Sequence, residues 1–494
     1  MSGRTKPSPP PLSRSAGEGR PGTSPSEVTH ERAAVDRPSP VSGTSPAALT
    51  HERAAVDRPS PVPGTSPAAV THERAAVDRP SPAQRERGGG EGIQPPSGFF
   101  AVCPRGLQEL LANELQACGA RGVRPGSGGA GFDGTLATAY AVNLHSRIAS
   151  RVLWRLAGAS YRDESDLYQM AYALPWEVHF KPTQTLRVDV TATRSPLRSL
   201  QFATLKIKDA IADRMRERCG ERPSVDRAAP DVQVVAHLSP QRADLYLDLS
   251  GEPLFKRRWR LEKGEAPLKE NLAAGLLASA GWTPAVPLHD PFCGSGTIAI
   301  EAACIATGRA PGLNRHFAFE KLLGFDARAW HDLLDQAHAA VDDGAAFHVS
   351  GSDISTRVIQ TALANAQRAG LARSIRDGSL VFGAGDARMA PAPAAAGLIV
   401  TNPPYGQQSE PKSATVARLM DRFGDQLKQA YPGWDAWLLS GDHDLPAQLK
   451  LKEARRTVLF NGPIECRLFR FELVQGSYRR LRGPSPLPPA QGQG

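Results

Sequence analysis

From Phe99-Phe100 onward, the apolar positions of this chain switch repeatedly between the period of a helix and that of a strand. Leu107, Leu110, Leu111 and Leu115 recur in steps of three and four, which predicts a helix. Leu144, Ile148, Val152 and Leu156 predict a second by the same spacing. Leu186, Val188, Val190 and Ala192 alternate as a half-buried strand does. Helical spacing returns over Leu205, Ile207, Ile211 and Met215, and alternation over Leu245, Leu247 and Leu249. Residues 98–260 therefore read as a mixed α/β region of two small units. From about Ala266 the pattern becomes strand, turn, helix. Strands are predicted at Val286–His289, Phe347–Ser350, Leu380–Phe382, Leu398–Thr401 and Ala436–Ser440, with a helix after Gly296. Strands separated by helices imply a parallel, doubly wound sheet of the Rossmann-like α/β class. A closing strand pair is expected in Thr457–Leu473, turning at Asn461-Gly462-Pro463, and Pro484–Gly494 reads as a loose tail.

Residues 1–97 carry no such pattern. They contain no aromatic residue, 17 of the 43 prolines, and the segment THERAAVDRPSP three times, at Thr29–Pro40, Thr50–Pro61 and Thr71–Pro82. Each unit offers only Ala and Val for burial, too little to offset the entropy of ordering. A disordered tail without catalytic role is expected. Twelve basic and ten acidic residues fall there, so most of the net charge of +9 belongs to the remainder, where it favours a polyanionic partner. The six cysteines (Cys103, Cys118, Cys219, Cys293, Cys304 and Cys466) include no Cys-x-x-Cys pair, so no metal site is indicated, and scattered thiols fit a reducing cytoplasm. No apolar run approaches the roughly 20 residues of a membrane span.

Asp290-Pro291-Phe292-Cys293-Gly294-Ser295-Gly296-Thr297 follows one predicted strand and opens a helix. Its glycines permit a tight turn and close approach of a ligand to the backbone. It lacks both the spacing of dinucleotide loops and the Gly-Lys-Ser/Thr of phosphate loops. A sulfonium nucleoside such as S-adenosyl-L-methionine has no pyrophosphate and needs carboxylates instead. Asp290 is suited to the cationic methionine portion. Asp353, followed by Ile354, ends the next strand, where a carboxylate can accept both ribose hydroxyls. It lies 63 residues beyond Asp290, so an insertion is expected over Arg309–Ala345, with Trp330 and Leu333-Leu334 on a helix of its own. Asp386, followed by Ala387, comes after the third strand and is placed to meet the adenine amino group. An aspartate at a strand end can also be an ordinary helix cap; three in order make the stronger pattern. Cys293 reads as a packing residue and Glu301 as a solvated or capping carboxylate.

Thr401-Asn402-Pro403-Pro404-Tyr405 ends the fourth strand. Two prolines remove two amide donors, which leaves carbonyl oxygens, and Asn402 adds one more. A planar exocyclic amine is a poor nucleophile because its lone pair is delocalised into the ring. Two acceptors gripping its hydrogens can turn that lone pair towards a methyl sulfonium, and Tyr405 offers a face for the base to stack on.

With these residues in place, Asp290–Thr297 and Asn402–Tyr405 resemble the class I amino-methyltransferases of nucleic acid bases. The segment Phe100–Leu111 resembles the start of a ferredoxin-like module. Lys206–Ile211, Arg222–Arg227, Ala229–Asp231 and Leu247–Gly251 resemble a THUMP domain, Pro267–Glu270 the lead into the cofactor domain, and Asn461–Glu465 its closing hairpin. Together these segments are similar to the bacterial 23S ribosomal RNA guanine-N2 methyltransferases of the large-subunit type L family, in the amino-terminal half of its fused two-methyltransferase form. The resemblance implies a ferredoxin-like module over 98–140, a THUMP domain over 141–260 and a methyltransferase domain over 266–474; the repetitive tail over 1–97, disordered on composition, has no counterpart in that family, and 475–494 reads as a loose tail. It further implies RNA as partner, with 23S RNA or a large-subunit precursor as substrate. Asp290, Gly294, Gly296, Asp353 and Asp386 would contact the cofactor, and Asn402, Pro403, Pro404 and Tyr405 would hold the amine. The chain stops short of a second methyltransferase domain, so the second guanine modification of the fused form is expected to be absent.

For the RNA, Lys206, Lys208, Arg214, Arg216 and Arg218 interleave with the apolar positions of one helix, Arg227 follows it, and Lys256-Arg257-Arg258-Trp259-Arg260 adds a second basic cluster. Such groups neutralise phosphates and leave base choice to the pocket. The amine grip fits adenine N6 as well as guanine N2, and a non-catalytic ribosome-assembly factor is the alternative of another class.

Overall fold

The computed structural model describes residues 98–261, 268–404 and 410–474. The expected tails, Tyr405 and Pro267 lie outside the described residues.

The first half contains β1 (Phe99–Val102), α1 (Gln108–Ala117), β2 (Arg121–Gly126), β3 (Gly129–Asp133), α2 (Leu136–His145) and β4 (Arg151–Ser160). After these come α3 (Glu164–Ala173), β5 (Leu186–Ala192), α4 (Leu200–Cys219), β6 (Val232–Leu238) and β7 (Arg242–Asp248). All seven strands form one sheet in the order β2-β3-β1-β4-β7-β6-β5, so the two small units share it through β4 and β7. Helix α4 forms where the spacing predicts it, although Leu205, one of the predicted positions, is 42% exposed. Ser199 caps its start by accepting from the Phe202 amide, Gly220 ends it in the left-handed region, and Ala203, Ile207, Ala210, Ile211 and Met215 are buried.

The helix expected over Leu144–Leu156 is not formed as such. Helix α2 ends at His145, and Val152 and Leu156 belong to strand β4. The cause is Glu114, whose carboxylate accepts from the Ser146 hydroxyl (2.6 Å) and from the amides of Arg147 (3.2 Å) and Ile148 (3.1 Å). Those interactions replace the bonds of a continuing helix. A four-residue step, moreover, keeps two side chains on one face of a strand as well as of a helix.

The second half contains α5 (Glu270–Ser279), β8 (Leu288–Asp290), α6 (Thr297–Ala306), α7 (Ala327–Ala339), β9 (Val349–Asp353), α8 (Thr356–Arg368), α9 (Ala372–Arg376) and β10 (Leu380–Ala384). It continues with β11 (Leu398–Thr401), α10 (Glu410–Ala430), β12 (Asp435–Ser440), α11 (Leu445–Leu449), β13 (Arg455–Asn461) and β14 (Ile464–Glu472). The strand order is β10-β9-β8-β11-β12-β14-β13; only β14 and β13 join in antiparallel fashion. This is the doubly wound sheet that the alternation predicted. The insertion forms α7, whose Trp330 packs edge-on against Phe317, Phe319 and Tyr140. One apolar core runs from Leu107, Leu111 and Leu115 through Leu272 and Leu276 to Leu288 and Ile298, and so binds the first β-α unit to the second sheet. No helix among the described residues is long and apolar enough to cross a membrane.

Candidate active site

The chain lays down β8, β9 and β10 outward in one direction, then returns to place β11 and β12 on the other side of β8. The strand order thus reverses between β8 and β11, where open α/β sheets bind their ligands. Asp290 ends β8 and Thr401 ends β11. The Thr401 hydroxyl donates to Asp290 Oδ1 at 2.6 Å, and the Phe292 amide donates to the same oxygen at 3.2 Å. Asp290 is 2% exposed, and burial pushes its carboxyl up to about 7, aided by the charge of Asp353. Asp353, half-buried at the end of β9, accepts from the Gly294 amide through Oδ2 (3.2 Å) and from the Ser355 amide through Oδ1 (2.9 Å). Two carboxylates thus bracket the glycine turn.

The two glycines do different work. Gly296 has φ +85°, and a Cβ there would lie 3.0 Å from Phe382 Cζ and 3.1 Å from Ala362 Cβ, so it lets the turn pack down. Gly294, at φ +52°, faces open space. Pro291 is buried beneath the turn, and Phe292 meets the Phe423 ring edge-on at 5.0 Å. Cys293 is buried, its thiol held well above the usual range by that burial, in keeping with a packing role. Thr297 opens α6 and turns its hydroxyl to the Arg260 guanidinium. Ile354 is 73% exposed beside Asp353. Asp386 follows β10 and is half-buried. Arg388 donates to both its carboxylate oxygens, at 2.9 and 3.0 Å through Nε and 2.5 Å through Nη2, and this pairing lowers its pKa. The backbone of that turn is tied to Asp353 by the Gly385 amide (2.9 Å), while Ala387 is buried.

Asn402 stands one residue beyond the Thr401–Asp290 bond. Its Oδ1 is buried and has no hydrogen-bond partner among the described residues. Pro403 is buried and Pro404 exposed. A buried acceptor without a donor costs about 1–3 kcal/mol. The site is thus short of a donor, which an amine would supply.

The basic residues divide. Lys206 stands over the Phe202 ring at 5.4 Å, and Lys208 pairs with Asp209 at 2.6 Å. Both line a pocket of about 580 Å³ with Arg216 and Arg222. Arg227 is exposed, and Arg258 is exposed with Glu252 at 3.6 Å. Arg214, in contrast, is spent on Glu177 through two bonds of 2.6 and 3.2 Å. The Lys256–Arg260 stretch is no continuous basic surface. Arg257 is buried against Glu301 at 3.3 Å and Arg260 against Glu270 at 3.4 Å. Glu301, read from sequence as solvated or capping, is 1% exposed and anchors Arg257 and Arg147. Thr401 and Arg388, which touch Asp290 and Asp386, were not singled out from sequence. Their one signal was adjacency to the two motifs.

Residues 98–153 match the RlmL ferredoxin-like domain, 161–248 the THUMP domain, and 257–470 the RMKL-like methyltransferase domain. The protein slr0064 of Synechocystis, described as an RNA methyltransferase, is 38% identical over 376 residues, 76% of this chain and 96% of that protein. The chain belongs to the THUMP-bearing, RMKL-like methyltransferase family. Within the family, the "Ribosomal RNA large subunit methyltransferase K/L" of Aeromonas hydrophila is 40% identical over 400 residues, 77% of this chain and 55% of that protein. The protein of the same name from Methylococcus capsulatus is 40% identical over 402 residues, 80% of this chain and 53% of that one. The chain spans about half the length of these two relatives. Among solved structures, SMU.472, described as a methyltransferase and complexed with SAH, superposes with a TM-score of 0.69 at 26% identity over 78% of this chain and all of that one. A protein of Listeria monocytogenes, described as a predicted N6-adenine-specific DNA methylase, gives 0.69 at 27% identity over 76% and 96%.

Proposed function

We propose that this chain transfers the methyl group of S-adenosyl-L-methionine to the exocyclic N2 of a guanine in 23S ribosomal RNA or its large-subunit precursor, in the cytoplasm. The observation that carries the reading is the unpaired, buried Oδ1 of Asn402, one residue from the Asp290–Thr401 bond at the switch point of the sheet. The names of the Aeromonas and Methylococcus relatives support ribosomal RNA as the substrate.

The residues present fit the cofactor. Gly294 leaves open space at the turn, Asp290 is a buried carboxyl beside it that a cation would stabilise as the anion, and Asp353 presents a half-exposed carboxylate at the next strand end. Gly294, Gly296, Pro291, Phe292 and Thr297 would shape the walls, with Ile354, Asp386 and Ala387 around the adenine. When bound, the cofactor supplies an electrophilic methyl on a sulfonium. Asn402 Oδ1 and a carbonyl of the Pro403-Pro404 turn accept the two amine hydrogens, which turns the nitrogen lone pair out of the ring plane. The amine sheds its proton after transfer, so no general base is called for. Tyr405 would offer the stacking face. Lys206, Lys208, Arg227 and Arg258 are the proposed phosphate contacts. Arg214 takes no part in that role, because Glu177 already holds its guanidinium.

The test is mass spectrometric mapping of ribosomal RNA from a strain lacking the protein, then complemented with the wild type or with Asn402→Ala. Loss of one N2-methylguanine from 23S RNA, restored only by the wild type, is the expected result. The likeness to the Listeria protein gives adenine N6 a foothold, and a missing methyladenine would select that reading instead. An unchanged RNA would leave a non-catalytic assembly factor.

A further inference from the structure

Three segments distant in sequence converge on one pocket outside the site described above. The β1–α1 turn brings Cys103, Pro104 and Arg105, the start of α5 brings Lys269 and Asn271, and the β13–β14 hairpin brings Phe460 to Pro463. The pocket has a volume of about 390 Å³. Its position is fixed by topology. Strand β14 runs antiparallel to β12 with Arg467 opposite Ser440, so the hairpin tip at Gly462 projects past the carboxyl edge of the parallel strands. Asp290 and Asn402 lie on that same edge. The start of α5 is also tied to the glycine turn, because Arg260 pairs with Glu270 and donates to Thr297.

The walls are rigid. A Cβ on Gly106 would run into the Val458 carbonyl and Leu459, and one on Gly275 would run into Leu107. The turn is thus wedged between the hairpin and α5 by residues that cannot be enlarged. The lining has the chemistry of a nucleotide site. Arg105 and Lys269 are exposed, and neither has a carboxylate partner among the described residues. Arg105 lies over the Phe460 ring at 5.5 Å, a flat pair on which a base can stack. Asn271 is fully buried and donates through Nδ2 to the Ile148 carbonyl (3.1 Å) and the Ser150 hydroxyl (2.9 Å), while its Oδ1 stays unpaired. Two cations that rest on aromatic rings, Arg105 on Phe460 and Lys269 on Phe255 (4.9 Å), thus line one pocket, with the unpaired Asn271 acceptor buried beneath it.

We infer that this pocket seats a nucleotide flanking the target base, its phosphate neutralised by Arg105 and Lys269 and its base set against Phe460. The inference rests on the RNA-methylating reading above and adds a second fixed point on the strand. A base held at Asn402 and a neighbour held here would orient the RNA across the sheet edge, as pairs of backbone contacts fix register elsewhere.

The test uses the full chain and 23S RNA extracted from the strain lacking the protein. Binding is measured over a salt series and transfer at saturating cofactor, for wild type, Arg105→Ala, Lys269→Gln and the double variant. The double variant is expected to bind RNA about 10-fold or more weakly and to lose about 1–2 from the slope of log affinity against log salt. KM for RNA should rise, with kcat and cofactor affinity unchanged. Lys269→Gln alone, altering an exposed side chain, should show about half the change in slope and carries the test if Arg105→Ala lowers the melting temperature. RNA affinity and salt slope equal to wild type in a folded variant would overturn the assignment. If the wild type itself neither binds nor methylates this RNA, the functional reading has failed before any variant is compared.

Discussion

Asn402 follows the Thr401 whose hydroxyl donates to Asp290, and the two residues face opposite problems: one is an acceptor short of a donor, the other a buried carboxyl short of a counter-charge among the described residues. Asn402→Ala removes the unpaired acceptor and leaves the glycine turn untouched. Cofactor affinity should therefore hold while single-turnover transfer falls about 10²–10³-fold, the range for losing one preorganised polar group. Asp290 gives a pH signature. Its carboxyl is raised from the usual 3.8 to about 7 by burial, so the folded chain keeps a proton that the unfolded chain has lost. Its contribution to stability is full at low pH and is lost as pH rises from about 4 to about 7. Urea unfolding of the unliganded protein across that window should show the decline, and Asp290→Asn should flatten it. Cofactor affinity should move the other way and fall as pH drops through about 7, because a neutral carboxyl cannot pair with a cation. Asp386 should show no such effect in that window, since Arg388 lowers its pKa further.

Among elements, the ones whose apolar period is unambiguous are legible in the sequence. Helix α4, strand β11 and the β13–β14 hairpin all fall where spacing and turn residues put them. Residues 144–156 were not readable, because a four-residue step suits both a helix and a strand, and the choice was made by Glu114 from 30 or more positions away. Helix α6 shows the same dependence. Glu301 looked like surface on charge alone, yet it is the buried anchor for Arg257, with Arg147 at 3.7 Å. Glu301→Ala would leave a buried guanidinium uncompensated. A loss of about 3–5 kcal/mol is expected, measured by denaturant unfolding of the full chain. A Glu301→Ala variant as stable as wild type would show that Arg257 finds its compensation in the Leu254 and Arg147 carbonyls to which it also donates.

At the scale of the molecule, two seven-stranded sheets are joined by a core to which α1, α5, α6 and β8 all contribute. That core accounts for the fixed relation between the β1–α1 turn and the methyltransferase hairpin on which the flanking pocket depends. Residues 1–97 contain no aromatic residue, and their repeats offer only Ala and Val for burial. Deleting them should leave the melting temperature within about 1–2 °C and the methylation rate within two-fold of the full chain; a larger loss of either would give the repeats a structural role that their composition does not suggest.

The sequence by itself determined the two turns at the switch point, Asp290–Thr297 and Asn402–Pro404, and the alternation that makes their strands parallel. These are local matters: glycine and proline act through their own backbone angles, and strand period is carried by neighbours two residues apart. The tertiary structure alone decided which charges are spent. Arg214 on Glu177, Arg257 on Glu301 and Thr401 on Asp290 are pairings across 37, 44 and 111 positions. Nothing in composition or spacing ranks such partners, because a buried charge takes whichever counter-charge the fold brings within reach. For the same reason the pocket between Arg105, Lys269 and Phe460 became visible only once three remote segments were packed together.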